Sequence, residues 1–206
     1  MSGAVRAEHV VLRGTFGLDG ETFDVDDNVR AIGDDDQVLG VDAAHDAVAI
    51  ERAVAGRHVT AVVCNQPHDD HVDTAAELCV ATGAPVLLHP DDNELRSHAH
   101  PGHKPDGKLS EGRVTAVADV EPPVLHILRH TRDSCCLDVR SAGAVLTTDT
   151  LFHGGPGATG RSYSDRPTME ASLRTRLLTL PGLAVVHTGH GQDTTVTAER
   201  PGIPTA

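Results

Sequence analysis

The chain contains no tryptophan, one tyrosine and three phenylalanines among 206 residues. A core built without large rings has to be filled by Val, Leu, Ile and Ala. Basic residues are also scarce: 17 Lys and Arg face 30 Asp and Glu, a formal charge of -13. That deficit argues against a nucleic-acid face, because phosphate backbones demand clustered Lys and Arg. It argues equally against an anionic membrane surface. No stretch approaches the roughly 20 apolar residues that a membrane helix needs. Met1 to Ala7 lacks the apolar run of a secretory leader. Of the four cysteines, Cys135 and Cys136 are neighbours, which sets geometry against an ordinary bridge between them. A cytoplasmic setting with reduced thiols is the expectation. Histidine runs the other way: there are 14, which makes metal chemistry the first thing to test.

Nothing along the chain reads as a linker, a low-complexity tract or a repeat, so residues 1–206 are expected to form one domain. Short apolar strands are expected at the front, at His9 to Leu12, Phe23 to Val25, Val29 to Ile32 and Val38 to Val41. A helix over Ala44 to Gly56 leads to a strand at Val59 to Val63. A second helix is predicted over Val72 to Thr82, stopped by Gly83, and another strand at Val86 to Leu88. Asp91 to Gly112 reads as a polar loop with a helical turn. Strands return at Val114 to Val117, Val124 to Leu128, Cys135 to Val139 and Ala144 to Thr147. A glycine-rich loop, a helix over Met169 to Leu180 and a strand at Ala184 to His187 close the pattern. This order suits two sheets covered by helices.

The densest chemistry lies just after the strand Val59 to Val63, in Cys64-Asn65-Gln66-Pro67-His68-Asp69-Asp70-His71. Three single residues, His130, Asp149 and His190, each also follow an expected strand. Loops at strand ends are where a rigid scaffold holds ligands together. A mixed imidazole and carboxylate set suits zinc, or iron and manganese where the site is harder. The alternative is surface His and Asp near strand ends.

The pattern resembles the metallo-β-lactamase superfamily, and within it the small glyoxalase II-like hydrolases. Asn65 to His71 lies on the family signature T-H-x-H-x-D-H. Leu128 to Ser134 lies on its P-G-H-[ST]-P-G-S loop, Thr148-Asp149-Thr150-Leu151-Phe152 on G-D-T-L-F, and Gly189-His190-Gly191 on the terminal G-H-G. Asp42 fits an early structural Asp. The resemblance covers nearly the whole chain. It implies an α/β fold, an αββα sandwich of two mixed sheets flanked by helices. It also implies two metal sites at one edge. One would use Gln66, His68 and His130; the other Asp70, His71 and His190, with Asp149 bridging.

Departures accompany the match. Gln66 stands where the signature has its first His, so that site is retuned, and Pro67 stiffens the turn. The chemistry implied is hydrolysis of a thioester or related acyl compound, since a bound divalent ion lowers the pKa of water toward about 7. Asp70 would orient or deprotonate that water as the catalytic residue. Two other readings are a mononuclear iron oxidoreductase resembling persulfide dioxygenases, using His68, His130 and Asp149, and a non-catalytic ligand-binding member. The expected partner is a small-molecule substrate. Arg129 and Arg132 either read an anionic group on it or pair with Asp133 or Asp69. Arg161, Ser162 and Tyr163 either touch substrate or pin their loop. The histidines of Ser97 to His103 are a metal site, an entrance lining or a solvated loop. The cysteines are expected to be packing residues, with Cys135 and Cys136 alternating across a strand.

Overall fold

The computed structural model describes residues 3–99, 102, 104–113, 115–160 and 162–204. Arg161, His100 and His103, together with Val114 of one expected strand, lie outside the described residues.

The front of the chain is one long antiparallel hairpin of β1 (Arg6–Leu18) and β2 (Glu21–Gly33), each of 13 residues. This corrects the expectation of separate short strands. Asp24 and Asp26 interrupt the apolar pattern, but they lie in the exposed outer half of β2, so nothing there requires apolar residues; Asp27, at its inner end, is buried. The turn residues Asp19 and Gly20 sit at φ of 53° and 82°. Two left-handed residues are what a two-residue hairpin of right-handed twist needs.

β2 pairs with β3 (Gln37–Val41). The parallel strands β4 (His58–Val63), β5 (Val86–Leu88) and β6 (Gly107–Lys108) complete a mixed six-stranded sheet. The second sheet starts with β7 (Val124–Leu128), β8 (Asp133–Val139) and β9 (Ala144–Thr148). A small hairpin follows, β10 (Leu151–Phe152) with β11 (Gly155–Pro156). β12 (Val185–Thr188) then joins β9 in parallel, and β13 (Thr194–Thr195) forms the edge.

Helices cover both outer faces. α1 (Ala47–Val54) begins where Asp46 accepts the Ala49 N–H at 2.9 Å and ends at a left-handed Ala55. The predicted second helix is broken in two, α2 (Asp69–Val72) and α3 (Ala75–Thr82). At the break, Asp73 accepts the His45 N–H at 2.7 Å and the Thr74 N–H goes to Ala43 O at 3.2 Å. Ala43 thus takes the Thr74 N–H that a continuous helix would use, while the Asp73 carboxylate docks the His45 backbone. The expected polar loop after β5 contains α4 (Asn93–Ala99). α5 (Arg166–Ser172) starts earlier than expected because Asp165 caps it. It runs into a wide turn over Leu173–Leu177, which places Leu173, Leu177 and Leu180 in the core. α6 (Val196–Glu199) ends the fold. Of the strand expected at Val114 to Val117, the described residues show a single bridge between Val117 and Val120.

Period-two alternation, offset once in β4 by a register shift after Val59, sorts the strand residues into layers. Val59 and Val62 face α1 and α3, whereas Ala61 and Val63 face the second sheet. Cys135 joins the inter-sheet core and Cys136 the layer against α5, as the alternation predicted. Burial pushes the thiols of Cys64 and Cys136 up to about 12, which fits packing residues. The result is helices, sheet, sheet, helices: the αββα sandwich.

One buried carboxyl ties the sheets together. Asp92 is 1% exposed and accepts the Asp133 N–H at 3.2 Å, while its Oδ2 has no hydrogen-bond partner. Burial, opposed by that hydrogen bond, raises its pKa to about 7. The folded chain therefore holds this proton in a window where the unfolded chain has lost it. Stability present at acid pH is lost as pH rises from the ordinary value of 3.8 toward about 7. Asp92→Asn, neutral throughout, is expected to gain on the wild type by more than about 1.4 kcal/mol between pH 5 and pH 8. Denaturant unfolding at both pH values checks this; equal gains at the two would refute it.

Candidate metal centre

The loops after β4, β7, β9 and β12 open at one edge of the sandwich, and they bring the predicted residues together. Asp149 is the hub. Its Oδ2 lies 3.2 Å from His71 Nε2, 3.4 Å from His190 Nε2 and 3.7 Å from His130 Nε2. Asp70 Oδ2 lies 3.7 Å from His71 Nε2 and 3.6 Å from His190 Nε2. The His68 and His130 rings meet edge to face with centroids 5.4 Å apart. Gln66 is wholly buried behind them.

Hydrogen bonds aim the imidazoles inward. His130 Nδ1 donates to Ala158 O at 3.1 Å, and His190 Nδ1 donates to Asp26 O at 3.0 Å. Both leave Nε2 as a lone pair facing the centre, the orientation that ligating histidines take. His71 Nδ1 lies 3.1 Å from Asp42 Oδ2, and Asp42 Oδ1 accepts the Asn65 N–H at 2.8 Å. Asp42 thus holds the ligand loop and faces the rear of His71.

Several backbones here are left-handed without glycine: Asp42 at φ 55°, Arg129 at 78° and Thr148 at 42°. Such residues cost of order 1–3 kcal/mol each and persist where surroundings over-determine them. Arg129 and Thr148 stand directly before His130 and Asp149, at the positions where the matching motifs have Gly. At both positions the chain holds, without glycine, a left-handed backbone that glycine adopts freely. Gly157 remains glycine because a Cβ there would meet the Asp149 carbonyl.

The donor set fits a cation. Buried atoms without hydrogen-bond partners line this centre: His68 Nε2, Asp70 Oδ1, His130 Nε2 and Asp149 Oδ1; both amide atoms of the buried Gln66 are likewise unpartnered. Leaving one such atom unmade costs roughly 1–3 kcal/mol. Such a set is what cation binding at this edge would satisfy. Charge points the same way. Burial works against protonated His71, but Asp70, Asp149 and Asp42 hold its pKa well above the ordinary value. Burial is likewise overcome at His190, which Asp149 lifts to about 9. The carboxylates thus draw positive charge to this spot. His68 is the opposite case: burial, then His130 and His71, push it down to about 3, a permanently neutral ligand. Burial raises Asp70 to about 7, with Asp149 and Asp27 adding to it and His71 opposing.

Gln66 is the weak member. Its amide oxygen is neutral, and the site it shares with His68 and His130 has less charge than the other. Gln66→His is expected to raise affinity at that site about 10-fold or more and to increase the metal retained per chain. Elemental analysis and competition against a chelator check both; unchanged retention would refute it.

The predicted substrate residues lie further out. Arg132 pairs with Glu94 at 3.1 Å and stacks over the Tyr163 ring, 4.5 Å from its centroid. Tyr163 donates its hydroxyl to Glu94 at 3.2 Å. Arg129 accepts the Asp165 N–H through its carbonyl at 3.0 Å. Ser162 donates to Asp19 at the hairpin tip at 2.8 Å.

Two groups escaped the sequence reading. Asp27 is 2% exposed; its Oδ1 lies 3.4 Å from His190 Nδ1, and its Oδ2 pairs with His45 Nε2 at 2.6 Å. With Asp70, His71 and His190 it forms a cluster of convergent ligand atoms. The only signal was a buried acid inside a strand. The second group is apolar: Phe16, Phe23 and Phe152 stand around the ligands, and nothing in their spacing marks them.

Comparison with known proteins shows the family and the fold. The model of the metallo-beta-lactamase superfamily matches residues 18–198. A probable metallo-hydrolase of Bacillus subtilis is 28% identical over 182 residues, covering 81% of this chain and 85% of that protein. A hydroxyacylglutathione hydrolase of Fuscovulum blasticum is 29% identical over 152 residues, covering 73% of this chain and 56% of that protein. Among solved structures, the BLEG-1 B3 metallo-beta-lactamase superposes with a TM-score of 0.78 at 20% identity, over 94% of this chain and 98% of that one. TTHA1623 in a di-iron-bound form gives 0.75 at 26% identity, with the same coverage of 94% and 98%.

Proposed function

The chain belongs to the metallo-β-lactamase superfamily, and from that we infer a metal-dependent hydrolase of thioesters or related acyl compounds. The observation that carries this reading is the cluster of buried, unpartnered ligand atoms around Asp149 Oδ2. Asp70, His71, His190 and Asp149 would hold one cation, and Gln66, His68 and His130 a second beside it. When bound, a divalent ion supplies an acidified water and a polarised carbonyl.

The remaining work falls to the chain. Asp70 Oδ1, buried and without a hydrogen-bond partner, receives a proton from the attacking water. Phe16 and Phe152, packed on His68 and His190 with ring centroids 5.1 and 6.1 Å apart, limit bulk water at the centre. The relatives bear on the reaction class: one is a probable metallo-hydrolase and another a hydroxyacylglutathione hydrolase. The metal itself is proposed as zinc, with iron or manganese as alternatives; the di-iron form of TTHA1623 keeps iron in the test.

Protein loaded separately with zinc, iron(II) and manganese(II) is expected to release free thiol from a thioester panel, read with a thiol reagent. Oxygen uptake by the iron form on a persulfide, without thiol release from any thioester, would replace the hydrolase with an oxygenase.

A further inference from the structure

The candidate ligands that the motifs name all follow strand ends. Asp27 comes instead from inside a strand, β2, and that strand is stitched to the loop carrying His190. Asp27 and His190 form an antiparallel bridge, and the Asn28 N–H donates to Gly189 O at 2.7 Å. The Asn28 amide donates to Thr188 O at 3.2 Å and to Gly191 O at 3.0 Å. A rigid element therefore fixes where the Asp27 carboxylate stands.

Its two oxygens are used differently. Oδ2 pairs with His45 Nε2 at 2.6 Å, and Nδ1 of the same ring lies 3.2 Å from Asp73 Oδ2. Ligating carboxylates are held by such outer partners. Oδ1 is buried and has no hydrogen-bond partner among the described residues. It lies 3.9 Å from His71 Nε2. Asp42 approaches that ring from the rear, at Nδ1, whereas Asp27 approaches the ligating nitrogen. Asp70 and Asp149 approach the same nitrogen, at 3.7 and 3.2 Å. Nor does His190 need Asp27 as its orienting acceptor. Asp27 Oδ1 lies 3.4 Å from His190 Nδ1, but that nitrogen already donates to Asp26 O at 3.0 Å. Three carboxylates gathered at one imidazole are buried at a cost that a shared divalent cation removes.

Resting on the metal-centre reading behind the proposed hydrolase, we propose that Asp27 is a further ligand of the ion held by Asp70, His71, His190 and Asp149. It gives that ion a third carboxylate beside two imidazoles. Oxygen-rich sets suit harder ions, so Asp27 tilts this site toward manganese(II) relative to the same site without it. The two halves of the centre then differ in kind: one has the neutral Gln66 with His68 and His130, the other has three acids.

The test is metal binding by the full chain after its metal has been removed. Manganese(II) and zinc(II) affinities come from chelator competition, and cobalt(II) reports its ligand number through its visible absorption. Asp27→Asn keeps the shape of the side chain and a polar partner for His45 but removes the charged donor. It is expected to weaken manganese(II) about 100-fold and zinc(II) about 10-fold. The cobalt(II) bands are expected to shift and change intensity as one ligand is lost. Asp24→Asn removes the same charge from an exposed position of β2 and is expected to change either affinity by less than about 2-fold, since salt screens that site. Unchanged manganese(II) affinity in Asp27→Asn overturns the proposal. So do equal losses for both ions with an unaltered cobalt(II) spectrum, which would make Asp27 a support and not a ligand. A crystal structure of the manganese-loaded wild type reads the same point without any variant: Asp27 Oδ1 bonded to the ion supports the assignment, and Oδ1 beyond bonding distance overturns it. None of these readouts depends on turnover. A wild type that binds metal as expected but cleaves no thioester would therefore sink the hydrolase and leave Asp27 in place.

Discussion

Asp149→Ala is expected to strip the protein of metal and to lower kcat/KM by more than about 100-fold. Changes to groups that merely orient a ligand cost about 10–100-fold in metal affinity or activity, and Asp149 stands closer to the centre than any such group. One of its oxygens approaches three imidazoles at 3.2, 3.4 and 3.7 Å, and its other oxygen has no partner at all. Removing it also leaves His71 and His190 without the charge that holds them in place. The variant keeps its neighbours on β9, so circular dichroism should remain that of a folded chain. Elemental analysis after growth with both zinc and iron, together with the thioester assay, decides the matter. Metal and activity both surviving the change would remove Asp149 from the centre.

Gly189→Ala is the second large effect, and it comes from one methyl group. Gly189 sits between β12 and His190, and its N–H bonds to Thr148 O at 3.1 Å. A Cβ there would meet Asp149 Oδ1 and lie 3.1 Å from His71 Cε1. The obstacles are a ligand carboxylate and a ligand ring, each held by other contacts, so the methyl group has to displace one of them. The expected loss is about 10–100-fold in metal affinity, with a smaller cost in stability because the clash is confined to the loop. Chelator competition measures the first and thermal unfolding of the metal-free protein the second. Unaltered metal affinity would show that the loop relaxes freely and that the close approach is incidental.

The ligands were legible because each occupies a loop at a strand end within a recognisable motif. Asp70 with His71, His130, Asp149 and His190 could be named from order and spacing. The strands bearing them, β4, β7, β9 and β12, were apolar enough to read. Other features were hidden for physical reasons. The long hairpin was missed because its outer half is solvated on both faces and carries acids without penalty. The break between α2 and α3 was missed because it depends on Ala43, far back in the chain, taking the Thr74 N–H, and on the His45 N–H docking on the Asp73 carboxylate. Asp27 was missed because a single acid in a strand has no period, and its importance lies in which loop folds over it.

From residue order alone followed the superfamily, the sandwich and the candidate ligands, because periodicity and spaced motifs are local properties that neighbours in sequence enforce. Three things waited for the tertiary structure: the convergence of Asp149 on three imidazoles, the diversion of Arg132 to Glu94 and Tyr163, and the gathering of every phenylalanine at one cleft. Each depends on distances between segments that the chain separates by tens of residues, and only the packing of the two sheets sets those distances.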